Sequence, residues 1–189
     1  VLGSEIMIRD VGVNPGRTGI LEVLHRMGAN IEVIDERIMS NEPVADIIIK
    51  SSELNAVELS GSIIPRIIDE IPIIAVAATQ AKGKTIIKGA EELRFKESDR
   101  IKTTVHELKR LGANIEEARD GIIIYGPSRL KNGICQSYGD HRIAMISAIA
   151  GLITTGRTIV EKTECVETSF PSFPSVVNSL SSTPLIIES

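Results

Sequence analysis

Tryptophan is absent and only 3% of the residues are aromatic. The core must therefore be aliphatic, and a base-stacking platform or a carbohydrate cradle built of rings is disfavoured. Cysteine is scarce as well. Cys135 and Cys165 form no CxxC pair, which argues against disulfides and structural zinc and for a reduced, intracellular, cytoplasmic protein. No apolar run approaches the roughly 18 residues a membrane span needs, and no basic-then-apolar signal segment opens the chain, so no membrane partner is expected. Basic residues are not in excess: 21 Lys and Arg stand against 25 Asp and Glu, a net charge of −4. That weighs against nucleic acid as a partner but leaves room for a small anion in a local basic pocket. The GxxxxGK[ST] loop, the GxGxxG fingerprint and the GxSxG elbow are all missing. His25, His106 and His141 lack metal-ligand spacing, so neither a metal nor a cofactor is expected.

What is present is an ordinary globular composition. The chain has 189 residues, 42% hydrophobic and 24% charged, enough for one domain or two small ones and for a core without staples. Val1-Leu2-Gly3 lacks an initiator Met and runs at once into strand-like Ile6-Met7-Ile8. A piece of a longer protein is expected, a processed chain being the alternative. The sequence also repeats itself. Val23 to Glu32 and Glu107 to Glu116 share an Arg-apolar-Gly-Ala-Asn-Ile-Glu string, each copy leading from a helix-like into a strand-like stretch, and a third, weaker copy begins near Ile159. Gly28 and Gly112 stand where a helix C-terminus wants a left-handed residue. The long period points to supersecondary units closing on one another rather than to a solenoid.

Periodicity predicts strands over 6–9, 30–35, 45–50, 85–88, 114–117, 121–125 and 157–161, and helices over 18–27, 71–81, 98–111, 141–150 and 174–180. The helices at 71–81 and 141–150 are apolar enough to be buried. A loop is expected over 40–43 and a frayed tail over 182–189. Alternating strands and helices make the fold α/β or α+β, built from similar units around buried helices.

Three helix starts carry ionisable groups. Arg94, Lys96, Glu97 and Arg100 run from a strand end into a helix. If the segment is extended, Arg94 and Lys96 point the same way, and with Arg100 they would bind phosphate or carboxylate at free helix N–H groups. Glu97 among them could move a proton. Equally, Glu97, Ser98 and Asp99 suit a solvated helix start, with Glu97 merely pairing Arg100. Asp140 either caps its helix or serves a site with His141 and Arg142. Asp69, heading the helix at 71–81, is an N-cap or a partly desolvated carboxylate that accepts a hydroxyl proton.

Taken together, Lys96-Glu97-Ser98-Asp99-Arg100, Asp140-His141-Arg142-Ile143-Ala144-Met145, Asp69-Glu70-Ile71-Pro72 with Ala81-Lys82-Gly83, and Thr168-Ser169-Phe170-Pro171 resemble the EPSP synthase (3-phosphoshikimate 1-carboxyvinyltransferase) family in order and spacing. The resemblance implies a two-domain enolpyruvyl transferase fold, each domain made of three β-α-β-α-β-β units. It implies that residues 1–181 are the C-terminal domain, about half of the enzyme, inactive without its N-terminal partner domain. The implied reaction, in the shikimate pathway, transfers the enolpyruvyl group of phosphoenolpyruvate to the 5-hydroxyl of shikimate 3-phosphate. Glyphosate competes for the phosphoenolpyruvate site in this family.

By the same resemblance Asp69 holds shikimate hydroxyls and acts as base, and Lys96 contacts shikimate 3-phosphate close to the reacting groups. Glu97 exchanges a proton with the phosphoenolpyruvate methylene. Arg100 and Arg142 grip its carboxylate, and Asp140 and His141 line the pocket. Two positions depart from the family pattern. Glu167 and Thr168 stand where many members carry a phosphate-binding Lys, and Glu92 stands where some carry an Asn. The competing reading is a non-catalytic binding or assembly domain of the same fold.

Overall fold

The computed structural model describes residues 3–187. It begins with β1 (Glu5–Gly12), α1 (Gly19–Arg26), β2 (Asn30–Met39) and β3 (Glu42–Lys50), whose strands form an antiparallel sheet in the order β1-β3-β2. A longer run follows: β4 (Glu58–Leu59), α2 (Ile64–Ile67), α3 (Ile71–Ala78), β5 (Gly83–Ile87), α4 (Arg100–Arg110), β6 (Asn114–Ala118) and β7 (Gly121–Gly126). Its sheet runs β4-β5-β7-β6, with β4 parallel to β5 and the other pairs antiparallel. The last run is β8 (Ile134–Gln136), α5 (His141–Gly151), β9 (Ile159–Glu161) and α6 (Phe173–Asn178), with β8 parallel to β9.

The two copies of the repeated string occupy equivalent places, from the end of α1 into β2 and from the end of α4 into β6. At each copy the glycine is left-handed, with φ of +87° at Gly28 and +90° at Gly112, so the chain turns out of the helix without a Cβ penalty. Ile159 opens β9 and pairs with Ile134.

Local rules explain several departures from periodicity. The expected loop over 40–43 contracts to a two-residue turn, because Ser40 (φ +49°) and Asn41 (φ +65°) are both left-handed, the backbone that matches strand twist in a hairpin. Strands β2 and β3 therefore extend to Met39 and from Glu42. Residues 91–95 form a 3-10 helix, where period-two alternation does not hold. Within the expected frayed tail, Leu185 and Ile186 are tied to α6, their N–H groups donating to Asn178 Oδ1, both at 2.8 Å. The last residues of the expected frayed tail, Glu188 and Ser189, lie outside the described residues.

The core is aliphatic. Val23, Leu59, Ile67, Ile74, Leu108 and Ile124 belong to one buried cluster that joins the helices to the second sheet. Helix α3 buries Ile71, Pro72, Ile74, Ala75, Val76 and Ala78, and its Pro72 sits in the first turn, where no N–H is needed. Helices α3, α4 and α5 pack against one another, which brings their N-termini together. Both cysteines are free, and burial pushes the Cys135 thiol up to about 11. Among the described residues no helix is long and apolar enough to cross a membrane, and no cluster of metal-ligating side chains occurs.

Gly121 opens β7 where a Cβ would lie 1.9 Å from the Ile87 carbonyl oxygen. Gly121→Ala must part β5 from β7, at an expected cost of about 3 kcal/mol, the upper end for overpacking. Urea unfolding measures it, and an unchanged midpoint would contradict the close approach.

Candidate active site

The site is built around a buried arginine. Arg100 is the first residue of α4 and is 1% exposed. Its Nε donates to Asp140 Oδ2 at 2.8 Å, Nη1 to Asp69 Oδ1 at 2.9 Å, and Nη2 to Glu97 Oε2. A desolvated guanidinium needs such partners, since an unpaired buried charge costs several kcal/mol. Helix α4 begins here because Asp99 is its N-cap, accepting from the Lys102 N–H at 3.0 Å.

Asp140 is fully buried. It accepts from Arg100, from Ser98 Oγ at 3.0 Å, and from the Arg142 N–H at 2.9 Å, so it is both the cap of α5 and the partner of α4. Burial alone would raise its proton affinity. Arg100, Ser98 and the Arg142 N–H together outweigh that and hold the carboxyl below the ordinary aspartate value. Asp140 thus sits beneath the site rather than on its wall.

Asp69 does not cap a helix. The N-cap of α3 is Glu70, without a side-chain bond. The Asp69 carboxylate is instead ringed by cations: Arg100, Arg142 Nη2 at 3.5 Å from Oδ2, and Lys96 Nζ at 3.9 Å from Oδ1. Arg142 Nη1 also donates to the Asp69 carbonyl at 2.8 Å, so Asp69, two residues before α3, is held by both side chain and backbone. Lys96 donates to Glu92 Oε1 at 2.7 Å. That bond raises the Lys96 ammonium above its usual value, and neighbouring Asp69 adds to the effect.

Glu97 is the outward member of the cluster, with half of its side chain exposed and Oε1 3.9 Å from His141 Nδ1. Asp69, Lys96, Glu97, Arg100, Asp140, His141 and Arg142 are therefore contiguous, although they come from three separate segments. Arg94 does not join them. The 3-10 turn at 91–95 sends its guanidinium to Asp99 at 2.8 Å and Glu117 at 2.9 Å, and to the carbonyls of Ala118 and Arg119. It anchors the β6–β7 hairpin, and the expected convergence of three cations at this helix start reduces to Lys96 and Arg100. Thr168 donates its hydroxyl to the Cys165 carbonyl at 2.8 Å, so neither it nor Glu167 supplies a cation. Two groups to which sequence reasoning gives no role belong to the cluster. Ser98 lies inside a recognised motif but reads from the sequence only as part of a helix start, and Glu92 meets Lys96 across an i,i+4 spacing.

The model of the EPSP synthase (3-phosphoshikimate 1-carboxyvinyltransferase) family matches residues 1–177. The chain belongs to this family. A 3-phosphoshikimate 1-carboxyvinyltransferase of Desulforamulus reducens is 55% identical over 175 residues, covering 93% of this chain and 41% of the relative. The EPSP synthase structure from Acinetobacter baumannii superposes with a TM-score of 0.92 at 41% identity, covering 97% of this chain and 43% of that one. The enolpyruvyl transferase NikO from Streptomyces tendae, at 21% identity and a TM-score of 0.73, shares the fold. The chain spans about two fifths of the length of the curated EPSP synthases it matches.

Asp140→Asn leaves Arg100 short of a buried anion. The expected loss is about 3 kcal/mol, the low end for breaking a buried pair because Asp69 and Glu97 remain. Since the folded proton affinity of Asp140 is depressed, its contribution is complete above the unfolded value of about 4 and is lost as pH falls through the lower folded value. Denaturant titrations from pH 6 to pH 2 test this. The acid limb of stability should be shallower in Asp140→Asn, and an identical slope would refute the assignment.

Proposed function

We propose that residues 1–181 form the C-terminal half of an enzyme that transfers the enolpyruvyl group of phosphoenolpyruvate to the 5-hydroxyl of shikimate 3-phosphate, releasing phosphate, in the cytoplasm. The observation that carries the reading is the contiguity of Asp69, Lys96, Glu97, Arg100, His141 and Arg142, residues that the family resemblance assigns to these substrates, in a chain that belongs to that family.

The chemistry needs fixed cations and movable protons. The 5-hydroxyl oxygen bonds to C2 of phosphoenolpyruvate while a proton adds to C3 and the hydroxyl proton leaves. The tetrahedral intermediate then expels phosphate and gives back a proton from C3, forming the enol ether. Asp69 is the base for the hydroxyl, with Lys96 alongside to hold shikimate 3-phosphate and steady the developing charge. Glu97, exposed at the outer edge of the cluster, serves C3 in both directions. Arg142 and Arg100, the cations beside Asp69 and Glu97, receive the phosphoenolpyruvate carboxylate. His141, its Nδ1 3.9 Å from Glu97 Oε1, lines the same pocket. Asp140 acts from below through Arg100. Glyphosate, as an occupant of the phosphoenolpyruvate site, is a convenient probe.

The site is completed across a domain cleft. Phosphate release from phosphoenolpyruvate plus shikimate 3-phosphate is therefore expected only when this chain is mixed with a matching N-terminal half. Silence of the mixture, with both halves folded and associated, would favour a non-catalytic binding or assembly domain, and turnover by this chain alone would refute the split site. In the complete enzyme Glu97→Gln should lower turnover by about 10²–10⁴-fold, the range for general acid–base steps, with the thermal midpoint almost unchanged. Undiminished turnover would remove Glu97 from the reaction.

A further inference from the structure

A second charged cluster lies outside the proposed machinery, two turns along the same helix. Glu107 of α4 is fully buried, and its carboxylate faces the turn between β8 and α5. Oε2 accepts from the Gln136 N–H at 3.0 Å. Oε1 accepts from the Tyr138 hydroxyl at 2.7 Å and lies 2.8 Å from His106 Nδ1, while Arg110 Nε stands 3.8 Å from Oε2. Burial opposes its charge. The bonds from Tyr138, His106 and Gln136 outweigh that and hold it below the ordinary glutamate value. Burial, then the bond to Glu107, pushes the Tyr138 phenol up to about 12, so the phenol is the neutral donor and Glu107 the anionic acceptor.

The turn needs that grip. Tyr138 is left-handed at φ +59° and is followed by left-handed Gly139 at +73°. A residue with a Cβ holds that conformation only where its surroundings over-determine it. Buried Ser137 holds one side of the turn, accepting from the Gly139 N–H at 3.0 Å and donating to the Lys162 carbonyl. Tyr138 itself is 42% exposed, and its hydroxyl, bonded to Glu107 and 2.9 Å from His106 Nδ1, is the tether on the α4 side. Two residues further on, Asp140 is held by Arg100. Helix α4 thus fastens the segment 136–142 at two points about 10 Å apart along its axis, by the rise of seven residues. His141 and Arg142 emerge from the far end of that segment.

The geometry points to Glu107 and Tyr138 as positioning residues that set the turn presenting His141 and Arg142 to substrate. This inference rests on the proposed reaction for its functional half and on the turn itself for its structural half, so two measurements on the complete two-domain enzyme separate them. The first is amide hydrogen exchange over residues 137–142. Tyr138→Phe removes one hydroxyl from a partly exposed residue and should speed exchange there about 10-fold while α3 and the β5–β7 pairing stay as they were. The second is steady-state kinetics. Tyr138→Phe and Glu107→Ala should lower kcat about 10-fold, the scale of a sub-ångström misplacement, with a smaller change in KM for shikimate 3-phosphate. Glu107→Gln, which keeps an acceptor for one donor, should recover part of the loss. Unaltered exchange in Tyr138→Phe overturns the tether. Faster exchange with full kcat overturns the positioning role. If the unsubstituted enzyme releases no phosphate, the proposed reaction has failed, and the exchange result still decides the tether.

Discussion

The ion pair between Arg100 and Asp140 is the constraint on which the rest of the site depends. Each partner is the first or capping residue of a helix, α4 or α5, and both are removed from water. Helix N-termini carry partial positive charge, so an arginine buried at such a place is tolerable only if acids are brought to it. Asp140 arrives from 40 residues away and Asp69 from 31. Meeting that demand fixes α4 against α5 and ties in Asp69, two residues before α3. The charged cluster is therefore a structural necessity before it is a chemical opportunity, and Glu97, His141 and Arg142 inherit their positions from it.

The aliphatic core makes the arrangement possible. Isoleucine, leucine, valine and alanine let α3, α4 and α5 lie close together, whereas rings would hold them apart and separate their N-termini. Helix α3 offers almost no polar surface, so packing sets the position of its body. Only its first residues, next to Asp69, meet charge. The same three helices carry both parts: apolar side chains of the inner turns fill the core, and the ends hold the charged cluster.

Much of this is legible in the sequence. The apolar helices at 71 and 141, the left-handed glycines 28 and 112, and the Glu97–Arg100 pairing all follow from local rules acting over a few residues. Partnerships across tens of residues are not legible from the residues themselves. Asp69 reads as a cap because caps are local, and its actual partners, Arg100 and Arg142, are brought by tertiary packing. Arg94 is misplaced by an alternation rule that fails where a 3-10 turn forms. Strands β4 and β8, of two and three residues, are too short for any period to register. Glu107 gives a faint signal, an acid on the buried stripe of α4 beside Leu108 and Leu111, and only the turn it grips explains it.

Having no tryptophan and just two tyrosines, Tyr125 and Tyr138, the molecule is optically almost silent near 280 nm. Tyr125 is stationed in β7 under Lys84, whose ammonium lies 5.4 Å from the ring centroid, while Tyr138 occupies the turn before α5. Any tyrosine signal near 280 nm that differs between two states of this domain therefore comes from one strand or from that turn. A protein so poor in chromophores has placed one of its two beside its own candidate chemistry.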